Sequence, residues 1–168
     1  MALGTSNPSS NTNPDPSGGL AVTSASNTGH GSTTSTASGG TNSQTKSCRW
    51  TAFPAGASNP VSVTLKVDYL RNGTLSDGGV DTYNQLLIEY SINGGSGWNT
   101  LLNHEFVTSS SSGTASVALS KTQDLTQVQV RDSLTATKTG GLSATMVATI
   151  SAIRLEVLTV DGGIVVMM

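Results

Sequence analysis

The residue types that most often carry catalysis or metal binding are few in this chain. Its 168 residues include two histidines, His30 and His104, and one cysteine, Cys48. A zinc site of the usual Cys/His kind takes three or four such ligands, and a Ser-His-Asp triad needs a histidine held by a rigid scaffold. His104 alone lies in a predicted strand, and its setting is typical of a partly exposed strand histidine. We therefore predict that the protein is not an enzyme.

One loop carries the side chains that best suit a metal ion. In LRNGTLSDGGVD, residues 70–81, Asn72, Asp77 and Asp81 offer oxygen ligands together with backbone carbonyls, which is the chemistry that calcium prefers. The spacing does not match an EF-hand, and solvated loop acids are the commoner pattern. A structural calcium ion is the single cofactor that we consider, with these three residues as its candidate ligands.

Aromatic residues are the other candidates for binding, because sugars stack on exposed rings. Tyr69 and Tyr90 fall in the apolar phase of their predicted strands, which favours a core position. Trp50 and Tyr83 are the candidate ligand-binding rings, if they lie on a loop rim. A place in the core is the alternative interpretation of each.

Charge excludes several kinds of partner. Charged residues make up 11% of the chain and the formal net charge is −2, so no basic field attracts nucleic acid or anionic lipid. We expect neither a nucleic-acid partner nor a membrane partner. No apolar run approaches the roughly 20 residues of a membrane-spanning helix, and the first residues lack a secretory pattern. A single cysteine excludes an intrachain disulfide.

Alternating apolar and polar residues predict strands over most of the chain. The alternation is clear in VSVTLKVDY, residues 61–69, and in QLLIEYSI, residues 85–92, which a glycine-rich turn at 93–97 joins to the next strand. In the run 144–160 the phase changes, and either a bulge near Ser151-Ala152 or a division into two strands would restore it. Seven or eight short strands without a helical period predict an all-β, antiparallel two-sheet jelly-roll sandwich.

Composition divides the chain into three segments. Residues 1–47 form a low-complexity, extended N-terminal arm whose charged side chains are Asp15 and Lys46; residues 48–160 form the sandwich, and 161–168 an apolar tail. Ordering the arm costs on the order of 50 to 90 kcal/mol of backbone entropy, which its small polar side chains cannot offset. If the arm is ordered, contacts with other chains must compensate, and backbone pairing with neighbouring strand edges would suit it.

Parts of the sandwich resemble a known family. LIEYSINGGSGWNTL, residues 87–101, resembles a hairpin common in galactose-binding-like and related jelly-roll domains, and residues 128–134 and 150–157 resemble their late strands. The resemblance implies a jelly roll, often with a structural calcium, and a buried Trp98. Such domains occur in carbohydrate-binding modules, adhesins and bacteriophage virion proteins.

Three functions follow as expectations. The first is a non-enzymatic structural component of a bacteriophage virion, a capsid decoration, minor capsid, tail or fibre accessory protein, whose arm threads between subunits. Its partners would be other virion proteins and copies of itself, assembled in the host cytoplasm. The alternative is a carbohydrate-binding or host-adhesion module that binds a surface glycan, with an extracellular location and the arm as a linker. An extracellular filament or surface-layer subunit is a third interpretation.

Overall fold

The structure is a computed structural model, which describes residues 2–6, 10–12, 28–29, 33–35, 41–51, 53 and 59–159. Within these ranges eleven strands form two antiparallel sheets. The strands are β1 Ala2–Ser6, β2 Ser10–Thr12, β3 Thr28–Gly29, β4 Thr33–Ser35, β5 Thr41–Thr51, β6 Pro60–Leu75, β7 Thr82–Ser91, β8 Asn99–Glu105, β9 Ser111–Leu119, β10 Gln129–Thr139 and β11 Ala144–Thr159. A short 3-10 helix, Leu125–Gln127, precedes β10.

The two sheets pack face to face as a sandwich. The six-stranded sheet has the order β1-β11-β6-β9, with β3 and β4 also paired to β11, and the five-stranded sheet has the order β2-β5-β10-β7-β8. Among the described strands from β5 onward, the β7–β8 hairpin is the one connection that stays within a sheet, and the others cross between sheets as in a jelly roll. The predicted all-β sandwich with an extended arm is confirmed. The described ranges include no helix long and apolar enough to cross a membrane.

The core lies between the sheets because alternate residues of each strand point inward. In β6, Val63, Leu65 and Val67 are buried while Ser62 is exposed, as the alternation predicts. Trp50 of β5 enters the same core with no exposed surface. Each large apolar side chain buried in this way contributes roughly 1.5 to 3 kcal/mol to folding.

The predicted bulge in the last strand is also present. The pairing of β11 with β6 shifts register between Ile150 and Ala152, which leaves Ser151 as an extra residue. Ile150 before the shift and Ile153 after it are both buried. The bulge therefore lets one 16-residue strand keep its inward-facing side chains buried on both sides of Ser151.

A buried asparagine joins the two sheets. Asn84 of β7 has no exposed surface, and its Nδ2 donates to the carbonyl oxygens of Val107 at 2.7 Å and Thr145 at 3.0 Å. Its Oδ1 accepts a hydrogen bond from the Val107 N–H. Because Thr145 belongs to β11 and Val107 follows β8, one side chain holds both sheets and the end of a hairpin. These polar groups can be buried at a small cost in free energy because each has a hydrogen-bond partner.

Glycine makes room for this amide. A Cβ atom at Gly73 of β6 would lie 2.5 Å from the Val107 carbonyl oxygen and 2.7 Å from Asn84 Nδ2. Both distances are shorter than any contact that a real Cβ makes. Gly73 is therefore required where the Asn84 side chain crosses to the opposite sheet.

The N-terminal strands cover the edges of the sandwich. Along the free edge of β11, β1 pairs with residues 155–159, β3 with 149–150 and β4 with 144–146. On the other sheet, β2 pairs with residues 49–51 of β5. Strand β5 itself begins at Thr41, ahead of the boundary that composition predicts at Cys48, and residues 161–168 lie outside the described ranges.

Replacing Asn84 by alanine should destabilise the protein more than most single substitutions. The variant leaves the buried N–H and carbonyl of Val107 and the carbonyl of Thr145 without this partner, so we expect a loss of about 3 kcal/mol or more in the free energy of unfolding. Urea denaturation followed by circular dichroism measures the loss. The matched control is Asn103→Ala, an exposed asparagine of the neighbouring strand, which should cost within about 0.5 kcal/mol. Equal losses in the two variants would contradict the role given to Asn84.

Candidate functional site on the outer face of the five-stranded sheet

The predicted calcium loop is organised by one of its own carboxylates. Asp77 Oδ1 accepts hydrogen bonds from the Gly79 N–H at 3.0 Å and from the Thr82 hydroxyl, and Oδ2 accepts one from the Asp81 N–H. The Thr82 hydrogen bond, with these backbone donors, lowers the pKa of Asp77 to about 2. The carboxylate therefore stays ionised and holds the turn between β6 and β7.

Of the other two candidate calcium ligands, Asp81 lies at the end of this turn, whereas Asn72 lies within β6, because that strand continues to Leu75 through residues predicted as a loop. Asn72 is exposed on β6 opposite Val147, and Asp81 is exposed where β7 begins. In the part of the chain that the structure describes, no group of three or more His, Cys, Asp or Glu side chains is placed to hold a metal ion. Calcium binding by Asn72, Asp77 and Asp81 stays a prediction.

The two candidate ligand-binding rings lie in different environments. Trp50 is in the core with no exposed surface, so it offers no ring face to a sugar. Tyr83 points outward from β7 and packs edge-on against Phe106, with 5.0 Å between ring centroids. Its hydroxyl lies 3.3 Å from Glu105 Oε1, and burial together with this carboxylate raises the pKa of Tyr83 to about 12. The candidate site therefore contains Tyr83 and not Trp50.

Sequence reasoning missed the ring beside Tyr83. Phe106 is 48% exposed and has a backbone φ of 51°, a left-handed conformation that is unusual for a bulky residue. This conformation turns the chain at the end of β8, so that Val107 enters the core while the Phe106 ring stays outside. Gly79 of the Asp77 turn supports the ring, because a Cβ there would lie 3.0 Å from Phe106 Cδ1.

Amide and carboxylate groups extend from the two rings along the sheet. Gln85 Nε2 donates to Asn103 Oδ1 at 2.6 Å, and Asn103 Nδ2 donates to Glu105 Oε1 at 3.1 Å. The antiparallel register of β7 and β8 brings them together, since Gln85 lies opposite Glu105. We call this surface the Tyr83 patch; it consists of Tyr83, Gln85, Asn103, Glu105 and Phe106. Aromatic rings beside hydrogen-bonding groups are the combination that a sugar requires.

A second cluster lies near the turn of the β7–β8 hairpin, on the same sheet. The guanidinium carbons of Arg131 and Arg49 lie 4.2 Å and 5.5 Å from the centre of the Trp98 ring. The two arginines are directly opposite each other on β10 and β5, where like charges repel. The Trp98 ring and a 2.6 Å ion pair from Arg131 Nε to Glu89 offset that repulsion. Trp98 thus packs over outward-facing arginines and is half-buried, short of the burial that the resemblance implied.

The outer face of the six-stranded sheet carries charges that pair with one another. Lys66 Nζ lies 2.8 Å from Glu156 Oε2, and Arg154 binds both Glu156, at 3.3 Å, and Asp68. Burial acts to raise the pKa of Asp68, but hydrogen bonds from Arg154 and Thr114 hold it below its usual value. Because these charged groups already pair with one another and join β6 to β11, the Tyr83 patch is the better candidate for recognising a ligand.

His104 lies between the sheets rather than in an open site. Its ring meets the Tyr69 ring edge-on, with 5.6 Å between centroids, and its Nδ1 is buried without a hydrogen-bond partner among the described residues. Burial, and secondarily the charge of Arg71, lowers the pKa of His104. The neutral imidazole therefore acts as a packing group between β8 and β6.

Comparison with known proteins adds no closer relationship, because no protein-family model and no curated protein matches the chain. Of the resemblance to galactose-binding-like domains, the structure supports the coarser part, a β-rich fold with two antiparallel sheets compatible with a β-sandwich. Sandwiches of this class carry many unrelated functions. The function must therefore be argued from the edges and faces of this particular sandwich.

The stability of the protein should fall as the pH is lowered from 7 to 5, partly because of His104. Its pKa is lowered on folding, so below about 6.5 the unfolded chain takes up a proton that the folded chain resists. Carboxylates of the ion-pair network titrate mainly at lower pH. Urea denaturation at several pH values should give a smaller slope for His104→Gln than for the natural chain.

The control for this measurement is His30→Gln, which removes the other histidine of the chain. We expect this variant to keep the His104 contribution to the slope. An unchanged slope in His104→Gln, compared with the natural chain over the same pH range, would show that His104 does not cause it.

Proposed function

We propose that the protein is a non-enzymatic structural component of a bacteriophage virion. The sandwich is displayed on the particle, and the arm joins it to neighbouring subunits. The observation that carries the proposal is the way in which the N-terminal strands bind: β1, β3 and β4 lie along the edge of β11, and β2 lies on β5. These contacts are strand additions, the form of binding that a polar arm can use for assembly.

The composition of the arm suits such contacts. Backbone N–H and C=O groups are the same in every residue except proline, so strand addition needs few side-chain anchors. Small uncharged side chains approach an edge closely and cost little to desolvate compared with Lys or Glu. An arm of this kind can bind its own sandwich or the edge of another subunit with the same atoms.

The opposite side of the sandwich has edges for neighbours. Strands β8 and β9 end their sheets, and each pairs with a single strand among the described residues. Unpaired edges are templates for another chain. The β9 sequence SSGTASVAL, Ser111–Leu119, has no charge or proline to prevent such pairing. Other virion proteins and copies of this chain are the proposed partners, with assembly in the host cytoplasm.

Limited proteolysis tests the virion role. In the purified chain, proteinase K should cut first within residues 13–27, whose Ser, Gly and Pro content is typical of protease-sensitive segments. In phage particles isolated from the host on a density gradient, the chain should be present and this segment protected, because neighbouring subunits cover it. Mass spectrometry of the fragments measures both. Residues 59–159 are the internal control and should resist cleavage in both samples.

Two results would count against the virion role. One is the absence of the chain from purified particles. The other is cleavage of residues 13–27 at the same rate in the particle and in the free chain.

The Tyr83 patch favours a second candidate function, the binding of a surface glycan. Here the sandwich would serve as a carbohydrate-binding or host-adhesion module, and the location would be extracellular or on the outside of the particle. The supporting observation is the pair of rings, Tyr83 and Phe106, beside the hydrogen-bonding row of Gln85, Asn103 and Glu105. The two functions are compatible in a host-attachment protein.

A glycan array tests the second function. If the patch binds a glycan, Tyr83→Ala should weaken binding at least tenfold, because the ring that stacks on the sugar is removed. Leu70→Ala is the matched control, since Leu70 is 47% exposed on the other sheet and should not change binding. Thermal unfolding confirms that both variants are folded. Binding that survives in Tyr83→Ala would exclude the patch as the site.

A further inference from the structure

Strands β1 and β2 pair with the edge strands of different sheets. β1 pairs with residues 155–159 of β11, and β2 pairs with residues 49–51 of β5. Residues 7–9 alone join them, and three residues span about 10 Å, which is also about the distance between packed sheets. The two strands must therefore bind the same sandwich together. We call them the β1–β2 clip.

The chain after the clip is long enough to move it to another molecule. Residues 13–27 separate β2 from β3, and fifteen residues reach about 50 Å when extended. A protein of this length has a diameter of about 40 Å, so the same edges on a touching copy are within reach. Pro14 and Pro16 follow β2 closely in the sequence, and proline lacks the N–H that strand pairing uses.

We propose that the β1–β2 clip is exchanged between copies of this chain. In the exchanged form, β1 pairs with residues 155–159 of a second copy and β2 with its residues 49–51. The same backbone hydrogen bonds form within one copy and between two copies. The equilibrium between the two arrangements therefore depends on the local concentration of the paired edges and on the conformational entropy of the linking segment. The inference rests on the proposed function and deepens it, since it names the second copy as the partner and the β11 and β5 edges as the surface.

The register of β1 provides a direct test by disulfide trapping. Leu3 lies opposite Leu158, and opposite residues of antiparallel strands have Cα atoms about 4.5 to 5.5 Å apart, within the range of a disulfide. The background is Cys48→Ser, which removes the natural cysteine. One chain then carries Leu3→Cys and a second chain, with a different tag, carries Leu158→Cys. The two are co-expressed, purified together and oxidised.

Exchange predicts a disulfide-linked heterodimer on a non-reducing gel, with the 3–158 bond identified by mass spectrometry. The register control pairs Leu3→Cys with Val147→Cys, a β11 position about 35 Å from 158 along the strand, and should give no heterodimer. A single chain with both Leu3→Cys and Leu158→Cys reports pairing within one copy. A bond in this chain together with no heterodimer would overturn the exchange, and so would the absence of both bonds.

The result is separable from the test of the virion role. Particles that contain the chain with a protected arm, but without the 3–158 heterodimer, would contradict the proposed exchange and support the virion role. A heterodimer of the purified chains, with no such chain in particles, would keep the exchange and remove the virion role.

Discussion

The arrangement of the sandwich depends on the amide of Asn84. Strands β6 and β11 of one sheet and the end of the β7–β8 hairpin of the other all converge on this side chain. The apolar core drives the sheets together without direction, whereas a buried amide with fixed partners sets their relative position. The same interaction also positions side chains on the outer face of the five-stranded sheet. Because Asn84 holds Val107, the chain turns at Phe106 and its ring stays beside Tyr83.

Features with a local cause could be predicted from the sequence. Alternation predicted residues 61–69 of β6, and a break in the alternation located the bulge at Ser151, because both depend on the two-residue period of a strand. The prediction of a loop from residue 70 was wrong, since β6 continues to Leu75. The turn after β7 was predicted from its glycines, and Gly94 and Gly95 do have positive φ values of 68° and 90°. In each case the residues that determine the structure are neighbours in sequence.

Features that depend on register between distant strands could not be predicted. Nothing local distinguishes Asn84, whose role follows from Thr145 and Val107 lying beside it in the fold. Tyr83 was a candidate on its type alone, and its polar neighbours come from β8. The place of Trp98 requires β5 and β10 to bring two arginines together. The arm is the extreme case, since backbone pairing leaves no pattern of side chains from which a partner strand could be read.

Pairing through the backbone also affects how the sequence of the arm can change in evolution. Contacts made through main-chain atoms tolerate most exchanges among small uncharged residues, and mainly proline or a charge at a paired position would interrupt them. Substitutions would accumulate in such a segment faster than in the core, where volume is constrained. Two homologous proteins could therefore share this pairing of N-terminal strands with the sandwich edges, while their first forty residues retained no detectable sequence similarity.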